Sequence, residues 1–185
     1  MYKNPNHRNK VRIIGGECRS RIITFPDIEG LRPTADMVRE KLFNWLGQNL
    51  HGKSVLDLFS GSGVMGFEAA SRYAKQVILI EKNRKAFFNI QENINLLKLN
   101  NLNAFCMDAF DYLQNNNNKF DIILLDPPYA WDKWNKLWQL LINHLNNDAY
   151  IYIEASSHIE LPSNLIHHKQ GKSGNSHFIL ARFVD

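Results

Sequence analysis

Between residues 53 and 125, short apolar runs alternate with stretches of helical periodicity, and this alternation limits the possible folds more than any other feature. Runs at 53–58, 76–80, 102–106 and 119–125 read as buried strands, and 63–73, 83–98 and 108–114 between them read as helices. A strand that leads through a helix into another strand returns to its sheet as a parallel neighbour, so a mostly parallel sheet covered by helices is expected. Upstream, Thr34 after Arg32-Pro33 is expected to cap a helix over 35–49, with Val38, Leu42, Leu46 and Leu50 on one stripe. Downstream, Trp131, Trp134, Trp138, Leu141 and Leu145 mark another helix packed on the core, with Trp131 close enough to Pro128 to border a pocket. Strands at 149–154, 164–169 and 177–183 follow; too few residues join the last two for a crossover helix, so the sheet should end antiparallel.

A chain of 185 residues, 44% hydrophobic and 22% charged, suits one compact domain with a small appendage. No segment approaches the roughly 20 consecutive apolar residues of a membrane span, and Met1-Tyr-Lys-Asn-Pro-Asn-His-Arg8 lacks the apolar core of a secretory signal. A cytoplasmic protein with no membrane partner is therefore expected. Cys18 and Cys106 form no disulfide framework, and the seven histidines form no spaced ligand set, so no metal is expected either. The net charge of +4 is concentrated at one end, where Lys3, Arg8, Lys10, Arg12, Arg19 and Arg21 face the single acid Glu17. Two strand-like pieces, 11–14 and 21–25, flank a Gly-Gly turn in that region. Residues 1–26 thus read as a small basic β-hairpin that meets a polyanion, attached to a domain over 27–185.

The strand ends carry the chemistry. After Ser54-Val-Leu-Asp57 comes Leu-Phe59-Ser60-Gly61-Ser-Gly63-Val-Met-Gly66, and Glu81 lies 20 residues beyond Gly61 at the next strand's end. Gly-x-Gly-x-x-Gly with a later acid is the dinucleotide fingerprint, which keeps a nicotinamide or flavin oxidoreductase open. In that fold, however, the first glycine follows the strand directly, whereas three residues separate Asp57 from Gly61. The fourth run, Phe120-Asp-Ile-Ile-Leu-Leu-Asp126, ends in Pro127-Pro128-Tyr129. Neither proline offers an N–H, so the ladder stops there and leaves carbonyl oxygens to face either a ligand or a simple turn.

Asp57-x-x-x-Gly61-x-Gly63 resembles the S-adenosylmethionine site of class I methyltransferases. The resemblance implies a Rossmann-like α/β fold with a mostly parallel seven-stranded sheet whose last strand is antiparallel. It also implies that Phe59, Ser60, Gly61 and Gly63 line the methionine portion, that Glu81 binds the ribose hydroxyls, and that Asp108 with Ala109 meets the adenine. Asp126-Pro127-Pro128-Tyr129 is similar to the (Asp/Asn/Ser)-Pro-Pro-(Tyr/Phe/Trp) motif of amino-methyltransferases. An exocyclic amine shares its lone pair with its ring and is a poor nucleophile until acceptors orient its hydrogens. Asp126 and the Pro127 carbonyl supply such acceptors, Pro128 stiffens the turn, and Tyr129 stacks on the flipped base.

Further segments narrow the family. Arg12-Ile-Ile-Gly-Gly-Glu-Cys-Arg19-Ser-Arg21 and Gly30-Leu-Arg32-Pro-Thr34-Ala-Asp-Met-Val-Arg39 resemble the RsmD family, the bacterial 16S rRNA (guanine(966)-N2)-methyltransferases. What this implies is methylation of a guanine amine in 16S rRNA, within an assembling small subunit, by a monomer. Arg12, Arg19, Arg21, Arg32 and Arg39 would then contact RNA, although Arg32 and Arg39 have a second reading as partners of acids on the sheet. The family's first loop usually reads Gly-Gly-x-Trp-Arg-Gly-Arg, where this chain has Cys18 and Ser20 in place of the tryptophan and later glycine. Lys169 and Lys172 follow the family's basic C-terminal segment only loosely. The same four-residue motif also serves DNA adenine and protein glutamine amino-methyltransferases, and a non-catalytic RNA-binding module is the remaining alternative.

Overall fold

A computed structural model describes residues 8–128, 131–155, 159–174 and 176–184. Strands β1 (Arg8–Arg12) and β2 (Ile22–Pro26) pair antiparallel as a separate hairpin. Then come α1 (Asp36–Leu46), β3 (Ser54–Asp57), α2 (Val64–Ser71), β4 (Gln76–Ile80), α3 (Arg84–Leu97), β5 (Leu102–Phe105), α4 (Ala109–Gln114) and β6 (Phe120–Leu125). Helix α5 (Trp134–Leu141), a short 3₁₀ turn (Ile142–His144), and strands β7 (Leu145–Ala155), β8 (Leu165–Ser173) and β9 (Ser176–Phe183) complete the chain. Seven strands form one sheet in the order β5-β4-β3-β6-β7-β9-β8. All neighbours are parallel except β9, which is antiparallel to both β7 and β8. The expected sheet and hairpin are therefore present.

The apolar runs are continuous because the central strands are covered on both faces. Val55, Val77, Ile122 and Leu124 pack with α1, α2, α3 and the hairpin. Their neighbours Leu56, Ile78, Ile123 and Leu125 pack with α4 and α5 on the other side. The hairpin is part of this core, with Ile13 and Ile23 fully buried in the first cluster.

Its loop is docked on the C-terminal end of α2. Glu17 N–H donates to Ser71 O at 2.8 Å, Cys18 N–H to Ser71 Oγ at 2.9 Å, and Ile14 N–H to Glu68 Oε1 at 2.8 Å. Gly16 is required here: its φ is +75°, and a Cβ would stand 1.8 Å from Ser71 O.

Four expectations need correction. Helix α1 ends at Leu46 before its Gly47 C-cap, so Leu50 is buried from the segment that follows and not on the helix stripe. Thr34 does not cap α1; the N-cap is Ala35, with no side-chain cap, and the Thr34 hydroxyl is turned towards Asp126. Leu145 belongs to β7 rather than to a helix, because the 3₁₀ turn ends α5 with His144 held between the carbonyls of Asn118 and Leu113. Trp131 precedes α5 instead of lying on it.

Candidate active site

The order of the sheet reverses between β3 and β6, the place where open α/β sheets leave a crevice at the carboxyl ends of their strands. Asp57 ends β3 and is buried, its Oδ2 accepting from Gly66 N–H at 3.2 Å. Burial, reinforced by the charge of Glu81, pushes its carboxyl up to about 7 against the pull of the Gly66 and Phe59 amides. The following turn is held tightly: Ser60 N–H donates to Ile80 O at 3.0 Å and Ser60 Oγ to Asp57 O at 2.9 Å. Gly63, at φ +78°, is the N-cap of α2 and admits a left-handed turn that other residues resist. Glu81, just past β4, accepts from Gly61 N–H at 2.7 Å and Asn83 N–H at 2.6 Å, and burial raises its carboxyl too.

Asp108 is the N-cap of α4, its Oδ1 accepting from Phe110 N–H at 2.8 Å, and Ala109 opens that helix. Asp126 follows β6. Its carboxyl is pushed up to about 8, first by burial, then by Glu154 and Asp57, while the Thr34 hydroxyl opposes the shift. Pro128 O accepts from Trp131 N–H at 3.1 Å, and among the described residues no donor reaches Pro127 O. Tyr129 lies outside the described residues.

These groups share one cavity of about 840 Å³, bounded by Asp57, Phe59, Ser60, Gly61, Glu81, Asp108, Ala109, Asp126, Pro127 and Pro128. Trp131 does border it, its ring edge-on to Phe59 at 5.3 Å and stacked with Phe110 at 6.0 Å. Gly63 contributes the turn, not the wall. Two lining residues, Tyr152 and Glu154 on β7, escape sequence reasoning. Glu154 nonetheless carries the same signal as Asp57 and Glu81, an acid closing an apolar strand.

Arg12, Arg19, Arg21 and Arg32 are exposed, the first three on the hairpin and Arg32 at the cavity wall. Arg39 is not available to RNA. It is fully buried, pairs with Glu68 and Asp36, and donates to Arg12 O and Thr34 O at 3.0 Å each. Arg72 holds the other oxygen of Glu68, so two guanidinium groups share one buried carboxylate.

Residues 11–182 match the model of a family described as conserved hypothetical protein 95. The ribosomal RNA small subunit methyltransferase D of Escherichia coli K12 is 38% identical over 165 residues, covering 87% of this chain and 83% of that protein. The chain belongs to the RsmD family. Its Haemophilus influenzae relative of the same name is 39% identical over 158 residues, covering 82% of each chain. Among solved structures, the putative methyltransferase yhhF from Escherichia coli superposes with a TM-score of 0.87 at 34% identity, covering 95% of this RsmD-family chain and 99% of its own.

Proposed function

We propose that this chain transfers a methyl group from S-adenosylmethionine to the N2 amine of one guanine, of the 966 type, in 16S rRNA. The observation that carries the reading is that the Asp126-Pro127-Pro128 strand end opens into the same cavity as the cradle of Asp57, Gly61 and Glu81. The substrate class comes from the relatives named as small-subunit rRNA methyltransferases.

The residues fit the cofactor. Glu81 offers carboxylate acceptors to a ribose diol while it fixes the Gly61 turn. Asp108 uses Oδ1 to cap α4, which leaves Oδ2 for an adenine amine. Phe59 and Ile80 supply apolar wall. When bound, S-adenosylmethionine supplies an electrophilic methyl on a sulfonium.

Asp126 and Pro127 O accept hydrogen bonds from the two N2 hydrogens, hold the amine in place and leave its nitrogen the electron-rich atom; the broken S–C bond pair would stay on sulfur, and the acidic proton of the alkylated nitrogen would pass to water. The motif implies that Tyr129 stacks on the flipped base. The exposed arginines of the hairpin meet phosphates.

The test is a methyl-transfer assay with tritiated S-adenosylmethionine on small-subunit particles from cells lacking the modification, with duplex DNA and a glutamine-bearing peptide as parallel substrates. Label confined to the rRNA, with N2-methylguanosine found by nucleoside mass spectrometry, is expected. Label on DNA or peptide alone would sink the proposal.

A further inference from the structure

Glu154 lies one residue beyond the ladder that joins β6 to β7. Leu124 pairs with Tyr152 and Leu125 with Ile153, so the same register brings Asp126 and Glu154 abreast on strands about 4.8 Å apart. Leu124 and Tyr152 face the same side of the sheet, and two residues on, Asp126 and Glu154 face it as well. Both line the cavity.

Tyr152 is fully buried, and its hydroxyl donates to Glu154 Oε2 at 2.8 Å. Burial and the charges of Glu154 and Asp126 hold that phenol well above its ordinary value, so it stays a donor. One oxygen of Glu154 is thereby anchored. Oε1 meets no hydrogen-bond donor among the described residues.

Glu154 Oε1 and a carboxyl oxygen of Asp126 thus present a row of acceptors, whereas the nucleobases differ in what flanks an exocyclic amine. Beside guanine N2 stands N1–H, a donor. Beside adenine N6 and cytosine N4 stands a ring nitrogen whose lone pair a carboxylate repels. We propose that Glu154 selects the base, accepting guanine N1–H next to the N2 amine held by Asp126, with Tyr152 as its positioning residue; this rests on the guanine-N2 reading above. A neighbouring pyridine-type nitrogen would leave Glu154 Oε1 unpaired in a desolvated site, a penalty that hydrogen-bonding pockets convert into strong rejection.

The test uses 2-aminopurine, which keeps the 2-amine and the planar ring but has an unprotonated N1. It replaces the methylated guanine in 16S rRNA assembled into the form that accepts the methyl group. Values of kcat/KM on both RNAs are compared for the wild-type chain, Glu154→Gln and Tyr152→Phe. This ratio is insensitive to the fraction of protein that folds.

The wild type is expected to prefer guanine by about 10²-fold or more, well within the range reached by hydrogen-bonding pockets. Glu154→Gln should narrow the preference to within about tenfold, because a carboxamide can turn its NH₂ towards N1. Tyr152→Phe should fall between. If Glu154→Gln slows both RNAs equally and leaves the ratio intact, the role of Glu154 is overturned while guanine methylation stands. If the wild type leaves the guanine RNA unmethylated, both readings fail together.

Discussion

Asp126 is the residue on which the proposed chemistry turns. In that proposal an oxygen of its carboxyl group is one of two acceptors for the amine, so Asp126→Ala is expected to slow methyl transfer by about 10²–10³-fold, the scale of losing one preorganised polar contact. Calorimetric affinity for S-adenosylmethionine should change little. Loss of that affinity would move Asp126 from the substrate to the cofactor. The acids also make the ligand-free protein sensitive to pH. Asp57 and Asp126 hold their protons to about 7 and about 8, against an ordinary value of 3.8. Between these limits the folded chain binds more protons than the unfolded one. Their contribution to stability is thus complete below about pH 4 and lost as the pH rises through 7 and 8. Asp126→Asn cannot ionise, so its melting temperature should decline less between pH 5 and 8 than that of the wild type; parallel decline would show Asp126 ionised throughout. Ser20 presents a different case. It holds φ +69°, where the family usually has glycine, and an L-residue is disfavoured there. Ser20→Gly is expected to stabilise the chain by roughly 0.5–1 kcal/mol, after allowance for the greater freedom of glycine when unfolded. Equilibrium urea unfolding measures this directly, and an unchanged midpoint would refute it.

At the level of elements, the strands announce themselves through runs that must be apolar on both faces, and their acids through position at the run's end. Asp57, Glu81, Asp108 and Asp126 are legible for that reason. Glu154 is less so, because β7 opens with the polar Asn146-Asn147-Asp148 and its run is short. Arg39 shows the opposite difficulty. An arginine beside Arg32-Pro33-Thr34 looks the same whether it faces solvent or turns inward, and its partner Glu68 lies 29 residues away on α2. What α2 does is equally hidden in sequence. Glu68 binds Arg39 of α1, Arg72 at its own C-terminal end, and Ile14 of the hairpin loop. Glu68→Ala would leave the buried Arg72 guanidinium without its counter-charge and Arg39 with Asp36 alone, and about 3–5 kcal/mol of stability should be lost. Chemical denaturation checks the figure, and a loss under 1 kcal/mol would show the cluster to be dispensable.

Across the whole molecule, a basic hairpin and an acid-lined cavity share one core. The hairpin carries exposed Arg12, Arg19 and Arg21, while the acids surround the cavity. Replacing Arg19 and Arg21 with alanine should weaken rRNA binding and flatten its logarithmic salt dependence by about 0.7–0.9 for each lost phosphate contact. Filter binding at several salt concentrations reads the slope, and an unchanged slope would remove the hairpin from the RNA interface. The basic hairpin is legible as a pattern of charge and β-branched residues. That it shares the core is not, since the Ser71 and Glu68 contacts join residues more than 50 positions apart.

Helix α2 joins the cavity turn to the hairpin loop. Its eight residues, about 12 Å at 1.5 Å each, run from the Gly63 turn at the cavity to the Ser71 carbonyl that holds the hairpin loop. A helix of this length does not stretch, so it fixes the spacing between the cavity turn and the hairpin loop. On the reading proposed here, a guanine one nucleotide out of step with the gripped backbone would fall short of Asp126, and the position of the methyl group in the RNA would be measured by distance as well as recognised by its base.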